Sequence, residues 1–238
     1  MGHERLKREV LEANLRLVDA GLVVLTWGNA SGVDREAGVL AIKPSGVGYA
    51  ELGLDDIVVV GLESGEVVEG KLKPSSDTPT HRYLYQAFGE IGGVAHTHSL
   101  HATVWAQAGR DLPCLGTTHA DHFCGPVPVT EPLTPEETAR DYAANTGKVI
   151  VRCFAARDLA AAEMPAVLVR GHGPFTWGPS AGAAVDNAIA LEAVARMGLL
   201  TLSLSPEHLP LPEHVLEKHF RRKHGETAYY GQKGDHKP

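Results

Sequence analysis

Short apolar runs rich in valine and isoleucine alternate along this chain with longer segments of helical periodicity. Strands are predicted over "VLAIKPSG", "DDIVVVGL", "GVAHTH", "VPVT" and "PAVLVRGHG". Helices are predicted over "MGHERLKREVLEANLRLVDAG", "PTHRYLYQAFGE", "SLHATVWAQAG", "TPEETARDYAANTG", "SAGAAVDNAIALEAVARMG" and around "EHVLEKHFRRKHG". Strands interleaved with helices in this way indicate an α/β sandwich in which helices cover a sheet.

Composition and charge narrow the class of protein. The 238 residues are 43% hydrophobic, which suffices for one well-buried core. The 29 acidic and 22 basic residues give a net charge of -7, so we expect no nucleic-acid partner. We find no apolar run that approaches the ~20 residues needed to cross a bilayer, and expect no membrane partner. Cys114, Cys124 and Cys153 form no CxxC pair, so a reducing, cytoplasmic setting is expected.

Histidines in apolar surroundings are the first candidates for function. His96 and His98 are predicted on one face of a strand, and His172 follows another apolar strand between two glycines. Asp77, at the start of a predicted helix, would complete a set of three imidazoles and one carboxylate, which suits zinc. The alternative is a polar edge strand with solvated rings. His101 is expected to point elsewhere and to be structural.

Three segments could hold an anion. "KPSG" ends a strand with Lys43 and Ser45, and "KPSSDTPTH" places Ser75 and Ser76 ahead of a helix start, where free amides favour negative charge. "TWGNAS" predicts a tight turn after an apolar strand. Each segment could equally be an ordinary cap or turn. Together they suggest a small phosphorylated substrate next to the metal.

Taken together, several sequence motifs are similar to those of one known protein family. "TWGN", "IKPSGV", "KPSSDTPTH", "AHTHSxHATxWAQAG", "GTTHAD", "RGHGPFxWG" and the terminal "YYGQ" resemble the class II aldolase and epimerase family over nearly the whole chain. The resemblance implies a single-domain α/β fold over residues 1–232, with a central, mainly antiparallel sheet flanked by helices. Residues 233–238 would form a C-terminal tail.

The resemblance also implies roles for individual residues. The metal, usually zinc and one per subunit, would be held by Asp77, His96, His98 and His172. The acid/base pair would be Asp121 and Tyr230. Family members are homotetramers with active sites between subunits, so Asp121, His219 and Tyr230 would reach into a neighbour's site. The substrate would be bound by Gly28, Asn29, Lys43, Ser45, Gly46, Ser75, Ser76, His219 and Arg222.

The expected activity is metal-dependent epimerisation of L-ribulose 5-phosphate and D-xylulose 5-phosphate in pentose catabolism, with L-arabinose the expected source. The C4 hydrogen is not adjacent to the carbonyl, so inversion at C4 is expected to proceed by retro-aldol cleavage of C3–C4 and re-addition. One alternative is a sugar-phosphate aldolase of the family, such as one acting on L-fuculose 1-phosphate; those resemble this chain but have glutamate at the position of Asp77. Another is a non-catalytic metal- or sugar-phosphate-binding protein.

Overall fold

Among the described residues, seven strands form a single sheet in which every neighbouring pair is antiparallel. The computed structural model of the chain describes residues 3–224. The order across the sheet is β4-β3-β2-β1-β5-β7-β6, so the predicted mainly antiparallel sheet is confirmed. The strands are β1 (Asn29–Asp34), β2 (Val39–Ile42), β3 (Val58–Gly61), β4 (Val67–Glu69), β5 (Gly93–His96), β6 (Ala166–Leu168) and β7 (Pro174–Gly178).

Helices cover both faces of this sheet. They are α1 (Glu4–Asp19), α2 (Thr78–Ala87), α3 (Leu100–Ala108), α4 (Thr117–Ala120), α5 (Pro135–Ala139), α6 (Tyr142–Ala156), α7 (Ala181–Leu204) and α8 (Glu213–His224), with short 3-10 turns at Tyr49–Glu51 and Leu54–Asp56. The α/β/α sandwich is therefore confirmed in the described residues.

Alternating strand residues divide the core into two halves. Leu40 and Ile42 of β2 join a cluster with side chains of α2, α3 and α6. Val39 and Ala41 point to the other face, where they join side chains of α1 and the first half of α7. Successive side chains of a strand point to opposite faces, so both halves are filled by the same short apolar strand.

Helix α7 is the one described helix that is long and apolar enough to cross a membrane by length and composition. Such a criterion is also met by core helices. Here α7 packs against β5, β7, α1 and α3, and it carries Asp186, Glu192 and Arg196. These contacts are those of a core helix.

Three predicted elements are wrong in the structure, and two of them lie between residues 127 and 147. "VPVT" is not a strand: Val127 and Val129 form only isolated bridges, with Leu112 and Leu168. Pro126 and Pro128 lack the N–H donors that a continuous ladder needs. The predicted helix over 134–147 is divided into α5 and α6, because Asp141 adopts a left-handed conformation with φ 52° and ψ 42°.

The strand predicted before "TWGNAS" is also absent. Residues 22–28 form a loop, in which Leu25 has a φ of 55°. Strand β5 ends at His96 rather than continuing to His98. The first turn of α3 follows soon after, which places His98 in a short connection between strand and helix.

Candidate metal centre and the adjoining cavity

Three histidines lie together at one end of the sheet. His96 ends β5, His98 follows it by two residues, and His172 lies in the turn between β6 and β7. The ligand nitrogens of the three rings lie within 4.8 Å of one another, and the Nε2 atoms of His96 and His98 are 3.1 Å apart. Lone pairs that converge in this way fit a divalent cation bound by nitrogen ligands.

The orientation of the His96 ring is set by its neighbours on β7. Its Nδ1 lies 2.9 Å from the carbonyl oxygen of Pro174, and because a carbonyl only accepts, Nδ1 carries the proton. The ring stacks on Phe175 with centroids 4.1 Å apart. The unprotonated Nε2 is thereby directed toward the other two histidines, in the arrangement typical of a metal-bound imidazole.

Burial keeps the rings of His98 and His172 in the form that binds metal. Burial, followed by the neighbouring His96 and His98, lowers the pKa of His172 to about 4. Burial, followed by the neighbouring His96, also lowers the pKa of His98. Neutral imidazoles are required for coordination, so His98 and His172 need not lose a proton near neutral pH.

Asp77 lies at the N-cap of α2, but its carboxylate does not cap the helix. Instead, Oδ2 accepts a hydrogen bond of 2.7 Å from Nδ2 of Asn29, a residue paired with His96 across β1 and β5. Burial would raise the pKa of Asp77, but the rings of His96 and His81 and the Asn29 hydrogen bond outweigh it, and the pKa is lowered. Within residues 3–224 the group of converging ligand atoms contains the three histidines without Asp77.

A cavity of about 820 Å³ opens beside the histidines. It unites most of the residues predicted to bind substrate or metal, which come from five separate parts of the sequence. Its lining consists of Thr26, Trp27, Gly28, Asn29, Lys43, Pro44, Ser45, Gly46, Ser75, Ser76, Asp77, His96, His98, Tyr142, Ala143 and His172.

Gly28 allows the loop before β1 to approach this site. Its φ is 81°, and a Cβ there would lie 2.8 Å from the carbonyl oxygen of His96. Any other residue would therefore be strained and would press on the end of β5. The Tyr49 hydroxyl donates to the Gly28 carbonyl at 2.9 Å and holds the loop in place.

The two "KPS" segments lie against each other. Pro44 and Pro74 form an antiparallel bridge, and the Ser75 amide donates to the Lys43 carbonyl at 3.0 Å. Ser75 and Ser76 precede the first turn of α2, as the sequence predicts. The hydroxyl-bearing residues Ser45, Ser75 and Ser76 line the cavity, and the N-terminus of α2 begins just after Ser75 and Ser76. The positive end of a helix dipole beside hydroxyl groups favours binding of an anion.

Lys43 lines the cavity, and its ammonium group already interacts with other parts of the chain. Its Nζ donates to the Val47 carbonyl at 2.6 Å and lies 4.8 Å from the centre of the Tyr49 ring. The residue is buried, and burial lowers its pKa. In this arrangement Lys43 holds its own loop and contributes positive potential to the cavity from beneath it.

Asp121, His219 and Arg222 form a separate cluster, the Asp121 cluster. The Asp121 carboxylate accepts from Arg222 Nη2 at 2.7 Å and from Arg222 Nε at 3.0 Å, with His219 Nδ1 at 3.0 Å from Oδ1. Burial would raise the pKa of Asp121, but these hydrogen bonds outweigh it and the pKa is lowered. None of the three lines the cavity of its own chain. Tyr230 lies outside the described residues.

Comparison with known proteins assigns the chain to a family. A family model described as "Class II Aldolase and Adducin N-terminal domain" matches residues 8–199. The chain belongs to this class II aldolase family. Class II aldolases are metal-dependent, which agrees with the histidine cluster.

Individual class II aldolase relatives extend over nearly the whole chain. The chain is 50% identical over 230 residues to "L-ribulose-5-phosphate 4-epimerase UlaF" of Salmonella typhi, covering 97% of this chain and 100% of the relative. A solved structure of "L-fuculose 1-phosphate aldolase" is similar with a TM-score of 0.78 and 29% identity, covering 93% of this chain and 97% of that one. A "putative aldolase/epimerase/decarboxylase" from Klebsiella pneumoniae gives a TM-score of 0.71 and 26% identity, covering 92% and 99%.

Sequence reasoning missed Tyr142 in this class II aldolase site. It lines the cavity, and its hydroxyl lies 3.3 Å from Nδ1 of His172. The sequence predicted one continuous helix over 134–147, in which Tyr142 has no distinctive position. No glycine or proline marks the break at Asp141. His101 contacts Glu192, with Nδ1 and Oε1 2.7 Å apart, as expected of a structural histidine.

Proposed function

We propose that this class II aldolase is a metal-dependent epimerase that interconverts L-ribulose 5-phosphate and D-xylulose 5-phosphate. The observation that carries the proposal is the cavity in which the histidine cluster adjoins the two paired "KPS" loops. The 50% identity to relatives named as L-ribulose-5-phosphate 4-epimerases supports the choice of substrate. The expected place of the reaction is pentose catabolism, with L-arabinose as one source.

The metal is proposed to be zinc, one per subunit, bound by His96, His98, His172 and Asp77. Three imidazole nitrogens and one carboxylate oxygen form a donor set that zinc accepts readily. When bound, a divalent cation supplies Lewis-acid stabilisation of the negative charge that develops on the sugar oxygens. Asn29 would hold the Asp77 carboxylate beside the rings through the 2.7 Å hydrogen bond.

The phosphate is proposed to lie between the two "KPS" loops. The hydroxyls of Ser45, Ser75 and Ser76, the Gly46 amide and the α2 N-terminus would bind its oxygens. Once C3–C4 is broken, the aldehyde fragment carries this phosphate. The loops would therefore retain the fragment while its carbonyl turns, so that re-addition produces the C4 epimer.

Two groups must move protons at the C4 oxygen. One removes the C4 hydroxyl proton as the C3–C4 electron pair moves to C3, and the other returns a proton to the aldehyde oxygen after its opposite face is presented. Asp121 and Tyr230 are proposed for these roles, with His219 and Arg222 near the phosphate.

A homotetramer with active sites between subunits would bring the Asp121 cluster to a neighbour's cavity. The separation of the cluster from the cavity of its own chain supports this assembly. So do Leu25 and Trp27 beside the cavity, which are 75% and 51% exposed, because large apolar side chains of this kind favour contact with another subunit. Three free cysteines agree with a cytoplasmic location. No nucleic acid or membrane is proposed as a partner.

The aldolase alternative is favoured by the solved L-fuculose 1-phosphate aldolase, to which the fold is similar. Asp77 argues for the epimerase, because its shorter side chain suits a metal ligand better than a base. The decisive experiment supplies zinc-loaded protein with L-ribulose 5-phosphate and couples D-xylulose 5-phosphate to a detecting enzyme. A parallel reaction contains L-fuculose 1-phosphate, and a third contains chelator-treated protein.

Formation of D-xylulose 5-phosphate that is lost on chelation and restored by zinc is the expected result. Cleavage of L-fuculose 1-phosphate without epimerisation would replace the proposal with the aldolase. Deuterium oxide as solvent tests the chemistry, since retro-aldol cleavage leaves the C4 hydrogen in place. Deuterium at C4 of the product would contradict bond cleavage.

A further inference from the structure

The side chain of Tyr142 approaches one ring nitrogen of His172, Nδ1. Its hydroxyl oxygen lies 3.3 Å from Nδ1, and the two ring centres are 6.0 Å apart. The residue lines the cavity and is 42% exposed. His96 has the carbonyl of Pro174 at the equivalent position, supplied by the adjoining strand. For His172, the group beside Nδ1 is instead a side-chain hydroxyl, that of the first residue of α6.

The backbone at Tyr142 is shaped so that this contact can form. Asp141 is left-handed, with φ 52° and ψ 42°, and it separates α5 from α6 so that Tyr142 becomes the first residue of α6. The side chain of Asp141 makes no capping hydrogen bond. A left-handed residue whose side chain makes no capping hydrogen bond is a sign that the surrounding structure requires that geometry.

Contacts on both sides hold the first turn of α6 in this position. The Thr146 hydroxyl donates to the Tyr142 carbonyl at 2.9 Å, and the Thr80 hydroxyl donates to the Ala143 carbonyl at 2.6 Å. Thr80 belongs to α2, the helix that begins directly after Asp77. The same helix therefore anchors Asp77 and the segment that carries Tyr142.

We propose that Tyr142 is a positioning residue for the metal, which fixes the His172 ring by accepting its Nδ1–H and thereby directs Nε2 toward His96 and His98. This inference rests on the metal binding included in the proposed function. An imidazole that binds a metal through one nitrogen needs a partner at the other, because that partner fixes both the tautomer and the rotation of the ring. Without the hydroxyl, the ring of His172 turns more freely and the Nδ1 proton meets solvent.

The test compares zinc binding by wild type, Tyr142→Phe and Tyr83→Phe. Tyr83 lies on α2 against Gly147 of α6 and does not line the cavity, so its variant removes a hydroxyl from the same helix pair as a matched control. Zinc affinity is measured by competition with a chromophoric chelator. Tyr142→Phe is expected to bind zinc about 10-fold more weakly, within the range for loss of a partner to a metal-bound histidine, and Tyr83→Phe is expected to bind like wild type.

A spectroscopic measurement separates orientation from general loosening. In the cobalt-substituted protein, the Nδ1 proton of a coordinated histidine gives a shifted NMR signal that disappears as it exchanges with solvent. The His172 signal is expected to broaden in Tyr142→Phe, while the His96 signal, held by Pro174, is expected to persist. Unchanged zinc affinity together with an unchanged His172 signal would overturn the inference.

The wild-type spectrum alone also tests the proposal should Tyr142→Phe fold poorly. A His172 Nδ1 proton that exchanges far faster than that of His96 would contradict the Tyr142 hydrogen bond. Epimerase activity is assayed separately on wild type. Zinc binding without epimerisation would remove the proposed function and leave the role of Tyr142 in place.

Discussion

The histidine cluster, formed by His96, His98 and His172, and the Asp121 cluster differ in how their charges are balanced. Of the three rings, that of His96 is buried, that of His172 is half-buried and that of His98 is exposed, and all three interact with one carboxylate, that of Asp77. Asp121, in contrast, is surrounded by Arg222, His219 and Lys223. The first arrangement favours a cation, whereas in the second the carboxylate is already paired with cationic side chains.

The two clusters also differ in how they are built. The histidine cluster depends on strand ends that are tied to one another through the sheet, so a single chain can form it. The Asp121 cluster joins the short helix α4 to the C-terminal helix α8, at a distance from the cavity of the same chain. We infer that the first site is complete within one chain, whereas the second acts only after assembly.

The largest effect is expected for His98→Asn. Loss of one imidazole from the converging set should abolish stoichiometric zinc binding, and turnover should fall by more than the roughly 100-fold that loss of an outer partner costs. Metal analysis and the coupled epimerase assay measure the two effects. His101→Asn is the matched control, since His101 lies three residues on and contacts Glu192. Retention of one zinc per chain by His98→Asn would remove His98 from the ligand set.

Asp121→Asn should leave zinc content unchanged and slow epimerisation by about 10²- to 10⁴-fold, the usual range for loss of a general acid or base. The variant keeps the size of the side chain and removes only its charge. Loss of zinc in Asp121→Asn would show that the two clusters are not independent and would break the comparison.

Mixed oligomers provide the control for shared active sites. His98→Asn and Asp121→Asn subunits, each inactive alone, are mixed during refolding. If each site combines residues of two subunits, random mixing restores about one quarter of the sites, because one site in four then receives both intact residues. Absence of any recovered activity in confirmed hybrids would place both clusters in the site of one chain.

The sequence predicted most of the fold and most of the residues that line the cavity. The apolar strands and periodic helices are found where their patterns place them, because burial of alternating or helical faces is a local requirement. Motifs at the ends of those strands, such as "HTH" and "GHG", meet because antiparallel pairing brings β5, β7 and the β6–β7 turn together. The metal ligands themselves stay predictions.

The features that sequence reasoning missed depend on non-local geometry. The reasoning that His96 and His98 share a strand face is wrong, since β5 ends at His96 and the closeness of the rings comes from the connection to α3. The break at Asp141, which presents Tyr142 to the cavity, has no glycine or proline to announce it. Aspartate visits the left-handed region more often than most residues, but local propensity alone does not say at which aspartate a helix breaks.

Acid should act first on buried histidines rather than on the Asp121 carboxylate. Burial lowers the pKa of His119 to about 4, although the hydrogen bond with the Gly125 carbonyl opposes the shift. The unfolded chain binds this proton near pH 6.5 and the folded chain only near pH 4, so stability falls as the pH is lowered through that window. The loss should approach about 3 kcal/mol for the shift of roughly 2.5 units in the metal-free protein.

Urea titrations of metal-free protein at several values between pH 7 and pH 4 measure this loss. His119→Gln can still donate to the Gly125 carbonyl and does not titrate, so its stability should depend less on pH than that of wild type. Other buried histidines titrate in both proteins and cancel in the comparison. Parallel curves for the two proteins would show that His119 does not account for the acid sensitivity near the Asp121 cluster.

The smallest effect is expected for Asp141→Gly, which tests whether the residue before Tyr142 contributes to the histidine cluster. Glycine adopts the left-handed conformation without strain, and no capping hydrogen bond is lost. Relief of about 1–2 kcal/mol of strain, offset by about 0.5–1 kcal/mol of added unfolded-state entropy, should raise the free energy of unfolding slightly. Asp141→Ala keeps the strain and should gain no stability, which urea titration can resolve.

Zinc affinity should stay unchanged in Asp141→Gly if Thr146 and Thr80 hold the first turn of α6 without help from Asp141. Weaker zinc binding would mean that a restricted residue at position 141 is itself needed to aim Tyr142 at His172, and that the histidine cluster depends on more of the chain than its strand ends.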